Sequence, residues 1–246
     1  MSVVGQWLAK LAQRWLAGFF RRYGLDRAEL PASSISSPMT DPEDVRVLLH
    51  VGCGRARLGD IPLAGFKRSD WREVRLDADP GVVPDIVGSM VEMSAVADGF
   101  ADAVYSSHGV EHLYWHDVPR ALAEFRRVLS ADGFAVITCP DVQAAAEMIA
   151  EDRMFETAYQ SAAGPITPFD IFYSYRPFVA ANPEWMSHHC GFTLTTLMAV
   201  LREAGFPVVH GLRRLGGFDL WVLASKSSRT ESEMAIIAAD YLPRNP

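Results

Sequence analysis

The residues best suited to chemistry are Gly52, Cys53 and Gly54, a bend after the apolar run VLLHV, and Asp77, which ends the next run, EVRLD. Glycines at the end of a buried strand let main chain approach a ligand closely. A carboxylate at the end of a neighbouring strand can accept hydrogen bonds from the two hydroxyls of a ribose. Together they read as a nucleoside site. A second set, His108, Glu111 and His112, follows the run ADAVYSS and offers imidazole and carboxylate groups for moving a proton. Ligands of open α/β sheets bind at the carboxyl ends of strands, where both sets fall. Glu111, His116 and Asp117 have metal-ligand chemistry without ligand spacing, and no metal is expected. His188 and His189 close an aromatic-rich stretch and read as loop residues, with one of them a candidate to line an acceptor pocket.

The elements that must position these groups follow from periodicity. Short apolar runs over 46–51, 73–76, 85–87, 103–106 and 134–138 predict strands. Val118, Ala121, Leu122, Phe125, Val128 and Leu129 share one helical face, with Asp117 placed to cap it and Pro119 tolerated in its first turn. Strands alternating with amphipathic helices predict a mostly parallel sheet covered on both faces. Leu194, Leu197, Met198 and Leu201 predict another helix, and PVVHGLRR and FDLWVLAS around Leu215-Gly216-Gly217 predict a β-hairpin. The stretch 154–190, dense in Phe, Tyr and Trp, is expected to be a lid or a small subdomain.

Both ends lie outside this plan. Residues 1–44 combine an amphipathic helix (Val4, Trp7, Leu8, Leu11, Trp15, Leu16, Phe19 and Phe20, with Lys10, Arg14, Arg21 and Arg22) and a Pro- and Ser-rich linker. That helix is expected to pack on the domain or a second subunit, with a peripheral membrane surface as the alternative. Residues 226–246 are expected to form a tail helix. Apolar residues make up 49% and charged residues 22% of the chain, as in ordinary globular proteins, and the net charge of −7 argues against a nucleic-acid partner. Three scattered cysteines suggest no disulfide framework and fit a cytoplasmic setting.

Read in order, VLLHVGCG, EVRLDADP, FADAVYSSHGVEHL, VPRALAEFRRVLSADGFAVITCPD and FTLTTLMAVLREAGF resemble a class I S-adenosylmethionine-dependent methyltransferase, nearest the type-11 group, over about residues 45–225. The resemblance implies a Rossmann-like, seven-stranded sheet ending in an antiparallel hairpin. It implies S-adenosylmethionine as cofactor, with Gly52, Cys53 and Gly54 against its methionine part, Asp77 on the ribose, and Ala78 beside the adenine. Ser89 and Met90 would lie near the adenine edge, and Ser107 and His108 would face the transferable methyl. Three positions depart from the family: His50 and Ser89 stand where acids are usual, and Ala56 where a third glycine is usual. His50 is therefore expected to leave one cofactor contact missing.

The function implied is methyl transfer to a small-molecule or saccharide-type acceptor, with His108, Glu111 and His112 as the catalytic candidates. A non-catalytic nucleoside-binding or scaffold protein of the same fold is the alternative. A dinucleotide-dependent oxidoreductase fits less well, because the third glycine is missing and a hairpin ends the sheet.

Overall fold

In the computed structural model, which describes residues 45–243 (the side chains of Pro183 and Glu184 excepted), apolar alternation builds the sheet outward from its centre. Strand β1 (Arg46–Val51) pairs in parallel with β2 (Trp71–Asp77) on one side and β4 (Ala101–Ser107) on the other, and β3 (Ile86–Val87) extends β2. Helix α1 (Val118–Val128) leads into β5 (Leu129–Pro140), which pairs in parallel with β4. Helix α2 (Val142–Ala150) then opens the insertion: a two-stranded sheet of β6 (Tyr159–Ser161) and β7 (Gly164–Ile166), and short helices α3 (Pro168–Tyr173), α4 (Arg176–Ala181) and α5 (Pro183–Met186). After α6 (Leu194–Glu203), β8 (Val208–Arg214) and β9 (Asp219–Ser225) form the expected antiparallel hairpin, and β9 docks antiparallel on β5. The order β3-β2-β1-β4-β5-β9-β8 is the predicted seven-stranded, mostly parallel sheet.

Successive side chains of a strand point to opposite faces, and each face buries a different cover. Leu49, Val51, Val74, Leu76 and Val104 meet Leu122 and Phe125 of α1 and Leu197 and Leu201 of α6. On the other face, Leu48, Tyr105, Val136, Trp221 and Leu223 meet Ile61, Leu63 and Phe66, together with Met234 and Tyr241 of α7 (Glu231–Tyr241). Thr230 caps α7 by accepting from Glu233 N–H, with the Glu233 carboxylate accepting from Thr230 in return. Tyr241 is 3% exposed, and any Cβ on Gly65 would collide with its ring. The tail helix is therefore part of the core.

Of three local features, one differs from expectation (the cap of α1) and two fill in what the sequence left open. No α-helix links β1 to β2; two 3-10 turns, Leu58–Asp60 and Ala64–Lys67, do so instead. Gly59, Pro62 and Gly65 break any helical run there. Asp117 sits at the head of α1 without capping it, its carboxylate facing Arg120 Nη1 at 3.3 Å. The insertion is a small subdomain in which Ile166 and Ile171 form a core with Ala145 of α2, against which Tyr159, Phe172 and Tyr175 pack. The helix and linker expected over residues 1–44 lie outside the described residues. Among the described residues, no helix is long and apolar enough to cross a membrane.

Candidate active site

The bend after β1 needs its glycines for conformation. Gly52 and Gly54 have φ of 63° and 52°, in the left-handed region. A Cβ on Gly54 would meet nothing within 4 Å, so that face of the turn is open to a ligand. At Gly52 the same atom would lie 3.3 Å from Met90 Cε, which brings Met90 against the turn. Gly54 N–H donates to Asp77 Oδ2 at 2.7 Å and Asp79 N–H to Oδ1 at 2.9 Å. The half-buried carboxylate thereby holds the turn and β2 together and keeps acceptor positions for two further donors.

Under the turn lies Arg75, 1% exposed. Its guanidinium donates to Val83 O at 2.7 Å, Gly54 O at 2.5 Å and Ala56 O at 3.2 Å. Where a helix N-terminus would otherwise support such a bend, this chain uses a buried cation solvated by carbonyl oxygens. The residue escaped notice in the sequence, although a lone arginine between Val74 and Leu76 was the available signal.

At the position where an acid is usual, His50 has a carboxylate beside it. His50, 2% exposed, has Nδ1 2.8 Å from Glu73 Oε1 and packs its ring against Tyr105. Burial works to raise the Glu73 carboxyl pKa, but hydrogen bonds from His50 and the Leu58 backbone, with the nearby positive charge, outweigh it and hold the group below its usual value. His50 lines a pocket of about 300 Å³ that also takes in Gly52, Cys53, Asp60, Tyr105, Ser107, His108 and Trp221. The pocket runs on to the paired Arg214 and Asp219 at the hairpin end. Burial pushes the Cys53 thiol up to about 11, which favours its protonated form.

His108 ends β4 with φ of 51°, a costly conformation for a residue with a Cβ. Its N–H donates to Thr138 O at 2.9 Å, and its imidazole, 48% exposed, has Nδ1 3.2 Å from Glu111 Oε1. Burial opposes the His108 cation, yet the hydrogen bond to Glu111 and its charge prevail and raise the pKa. Burial likewise opposes the Glu111 carboxylate, and His108 reverses that, leaving Glu111 ionised below its usual range. A neutral His108 in this setting donates its Nδ1–H as a hydrogen bond to Glu111 and offers Nε2 as a base. His112 turns elsewhere, with Nδ1 3.1 Å from Ser187 O. His188, from the end of the insertion, packs edge-on against His112, and burial pushes it down to about 4.

The pocket thus brings together Gly52, Cys53, Ser107 and His108, with Asp77 joined through Gly54 and Met90 through Gly52. Ala78 and Ser89 do not line it, and the Ser89 hydroxyl accepts from Val91 N–H at 3.2 Å. Glu111 sits behind His108 rather than in the pocket.

Residues 49–137 match a family model for a methyltransferase domain. No functionally curated protein matches the chain. Among solved structures, a Listeria monocytogenes protein provisionally assigned as an S-adenosylmethionine dependent methyltransferase aligns at 12% identity, over 75% of this chain and 92% of that one, with a TM-score of 0.50. An Archaeoglobus fulgidus SAM dependent methyltransferase aligns at 17% identity over 74% and 86% of the two chains, with a TM-score of 0.49. The Burkholderia thailandensis 1,6-didemethyltoxoflavin-N1-methyltransferase, solved with 1,6-didemethyltoxoflavin and S-adenosylhomocysteine, aligns at 17% over 93% and 92%, with a TM-score of 0.47. Likeness at 12% identity, as with the Listeria monocytogenes protein, speaks for the fold alone. Over residues 49–137 this chain matches a methyltransferase domain, and those residues form the β1–β5 core of its sheet.

Proposed function

We propose that the protein methylates a small-molecule or saccharide-type acceptor held between the end of β4 and the β8–β9 hairpin, with His108 receiving the acceptor's proton. The observation that carries this is a half-exposed imidazole, in a strained conformation, backed by a buried carboxylate and lining the pocket that also borders the glycine bend. Carboxylates, an arginine and two aromatic rings line the same pocket (Asp60, Asp219, Arg214, Tyr105 and Trp221), a mixture suited to a hydroxylated ring.

The residues present fit S-adenosylmethionine. Gly54 offers an open backbone face, and Asp77 keeps free acceptor positions for the ribose hydroxyls. Gly52 and Cys53 would border the methionine part, with His50, oriented by Glu73, in place of the usual acid. Ala78, Ser89 and Met90 would lie on the adenine side, and Ser107 near the transferable methyl. When bound, the sulfonium supplies both the methyl group and a good leaving group. The chain's own part is alignment and exclusion of water, which can lower the barrier by on the order of 7–11 kcal/mol. Glu111 fixes the His108 ring and stabilises its cation as the proton arrives, while His112, turned to Ser187, takes no proton in this scheme. A panel of hydroxylated acceptors incubated with labelled S-adenosylmethionine tests the reading. Transfer that is lost in His108→Gln supports it, and transfer indifferent to that change would place the base elsewhere or remove the need for one.

A further inference from the structure

Behind His108 the fold gathers two further histidines around the second oxygen of Glu111, an arrangement that methyl transfer does not require. We propose that Glu111, His112 and His188 form a binding site for a divalent transition-metal ion of the zinc class. One ligand atom from each of the three lies within 4.8 Å of the others. Tetrahedral zinc holds N and O ligands about 3.3 Å from one another, so closure requires a side-chain movement of roughly 1–1.5 Å.

Three observations carry the assignment. Glu111 is 1% exposed, and its Oε2 is buried without a hydrogen-bond partner although its Oε1 serves His108. A carboxylate oxygen left so is paired or coordinated in most proteins. Next, His112 Nδ1 lies 3.1 Å from Ser187 O, and His188 Nδ1 3.1 Å from Ile171 O. A carbonyl only accepts, so each Nδ1 carries the proton and each Nε2 keeps its lone pair, the tautomer that metal-binding histidines hold through such outer contacts. Finally, the pieces are clamped together: His189 N–H and Cys190 N–H both donate to Glu111 O, at 2.9 and 3.2 Å. Two imidazoles and one carboxylate select zinc, cobalt, manganese or ferrous ions over magnesium and calcium, and three protein ligands leave a coordination position open. An ion there would tie the insertion to the turn after β4. Sequence spacing hid the site because His188 lies far along the chain from Glu111 and His112.

The test uses the full chain, stripped with a chelator and titrated with cobalt(II) while visible absorption is followed. The expected result is one equivalent bound, displaced by zinc and indifferent to excess magnesium. His188→Ala, in the peripheral subdomain, should weaken uptake by roughly 100-fold or more, beyond what loss of a supporting partner costs. His116→Ala, on the exposed turn nearby, should leave uptake unchanged. Circular dichroism confirms that each variant is folded, and His112→Ala serves if His188→Ala is not. No cobalt uptake by the unaltered chain overturns the proposal, as does uptake that survives both histidine substitutions.

Discussion

Replacing Arg75 by methionine keeps much of the side-chain volume and removes every donor beneath the glycine bend. The guanidinium makes three hydrogen bonds to the carbonyls of Gly54, Ala56 and Val83. Bonds from a charged donor contribute roughly 1.5–3 kcal/mol each. Against that stands the several kcal/mol it costs to keep a cation out of water, which methionine would not incur. Ala56 and Val83 are exposed, so their carbonyls can take water once the arginine is gone. The net loss should be about 2–4 kcal/mol. For a domain of this size it lowers the melting temperature by roughly 5–15 °C. The bend also becomes less well held, and affinity for S-adenosylhomocysteine should fall roughly tenfold. Urea unfolding and calorimetric titration of Arg75→Met beside the unaltered chain read both effects. Stability and affinity both unchanged would mean that the bend holds its shape without the arginine.

Asp77→Ala should weaken S-adenosylhomocysteine binding by about 2–3 kcal/mol, or roughly 30- to 150-fold, because two hydroxyls lose a charged acceptor; calorimetry showing equal affinity would place the ribose elsewhere. His108→Gln should reduce turnover of an accepted substrate by about 10²–10⁴ with cofactor affinity retained, and a parallel loss of affinity would make the residue a binding group instead. Asp170, buried in the insertion, has its pKa raised by burial but held below the ordinary 3.8 overall by Thr167 and Arg176. Its contribution to stability is therefore fully present above that ordinary value and is lost as pH falls through the depressed one. The stability gap between the unaltered chain and Asp170→Asn, measured by urea unfolding, should be constant from neutral pH down to about 5 and shrink below about 4. A gap independent of pH would show that the carboxylate does not ionise differently in the folded protein.

Much of this architecture could be read from local pattern, because buried strands announce themselves by composition. Strand β1 has the expected bounds, Arg46–Val51, and the hairpin strands β8 and β9 flank the glycines that marked their turn. What escaped depends on partners distant in sequence. Trp71 begins β2 two residues earlier than expected because its ring is buried against Phe66 and Tyr241, from segments with no strand signal of their own. Helix α7 belongs to the core through Met234 and Tyr241, with Ile237 and Ala238 packed beside them, and its apolar residues do not mark one clear face. At the site, Gly52, Gly54, Asp77 and His108 were legible because glycine conformation and strand ends are local matters. Arg75, Glu73 and Trp221 were not, since Arg75 acts on the turn after β1, Glu73 on His50 of β1, and Trp221 reaches the pocket from the hairpin. The link between β1 and β2 carried no periodic signal, and it folds as two 3-10 turns broken by Gly59, Pro62 and Gly65.

Calorimetric titration of the full chain with S-adenosylhomocysteine probes the cofactor edge most directly. One site per chain with micromolar affinity, abolished by free S-adenosylmethionine in excess and not by NADH, is the predicted result. A folded protein that gives no binding heat at millimolar ligand would contradict the account and leave a methyltransferase fold without its cofactor.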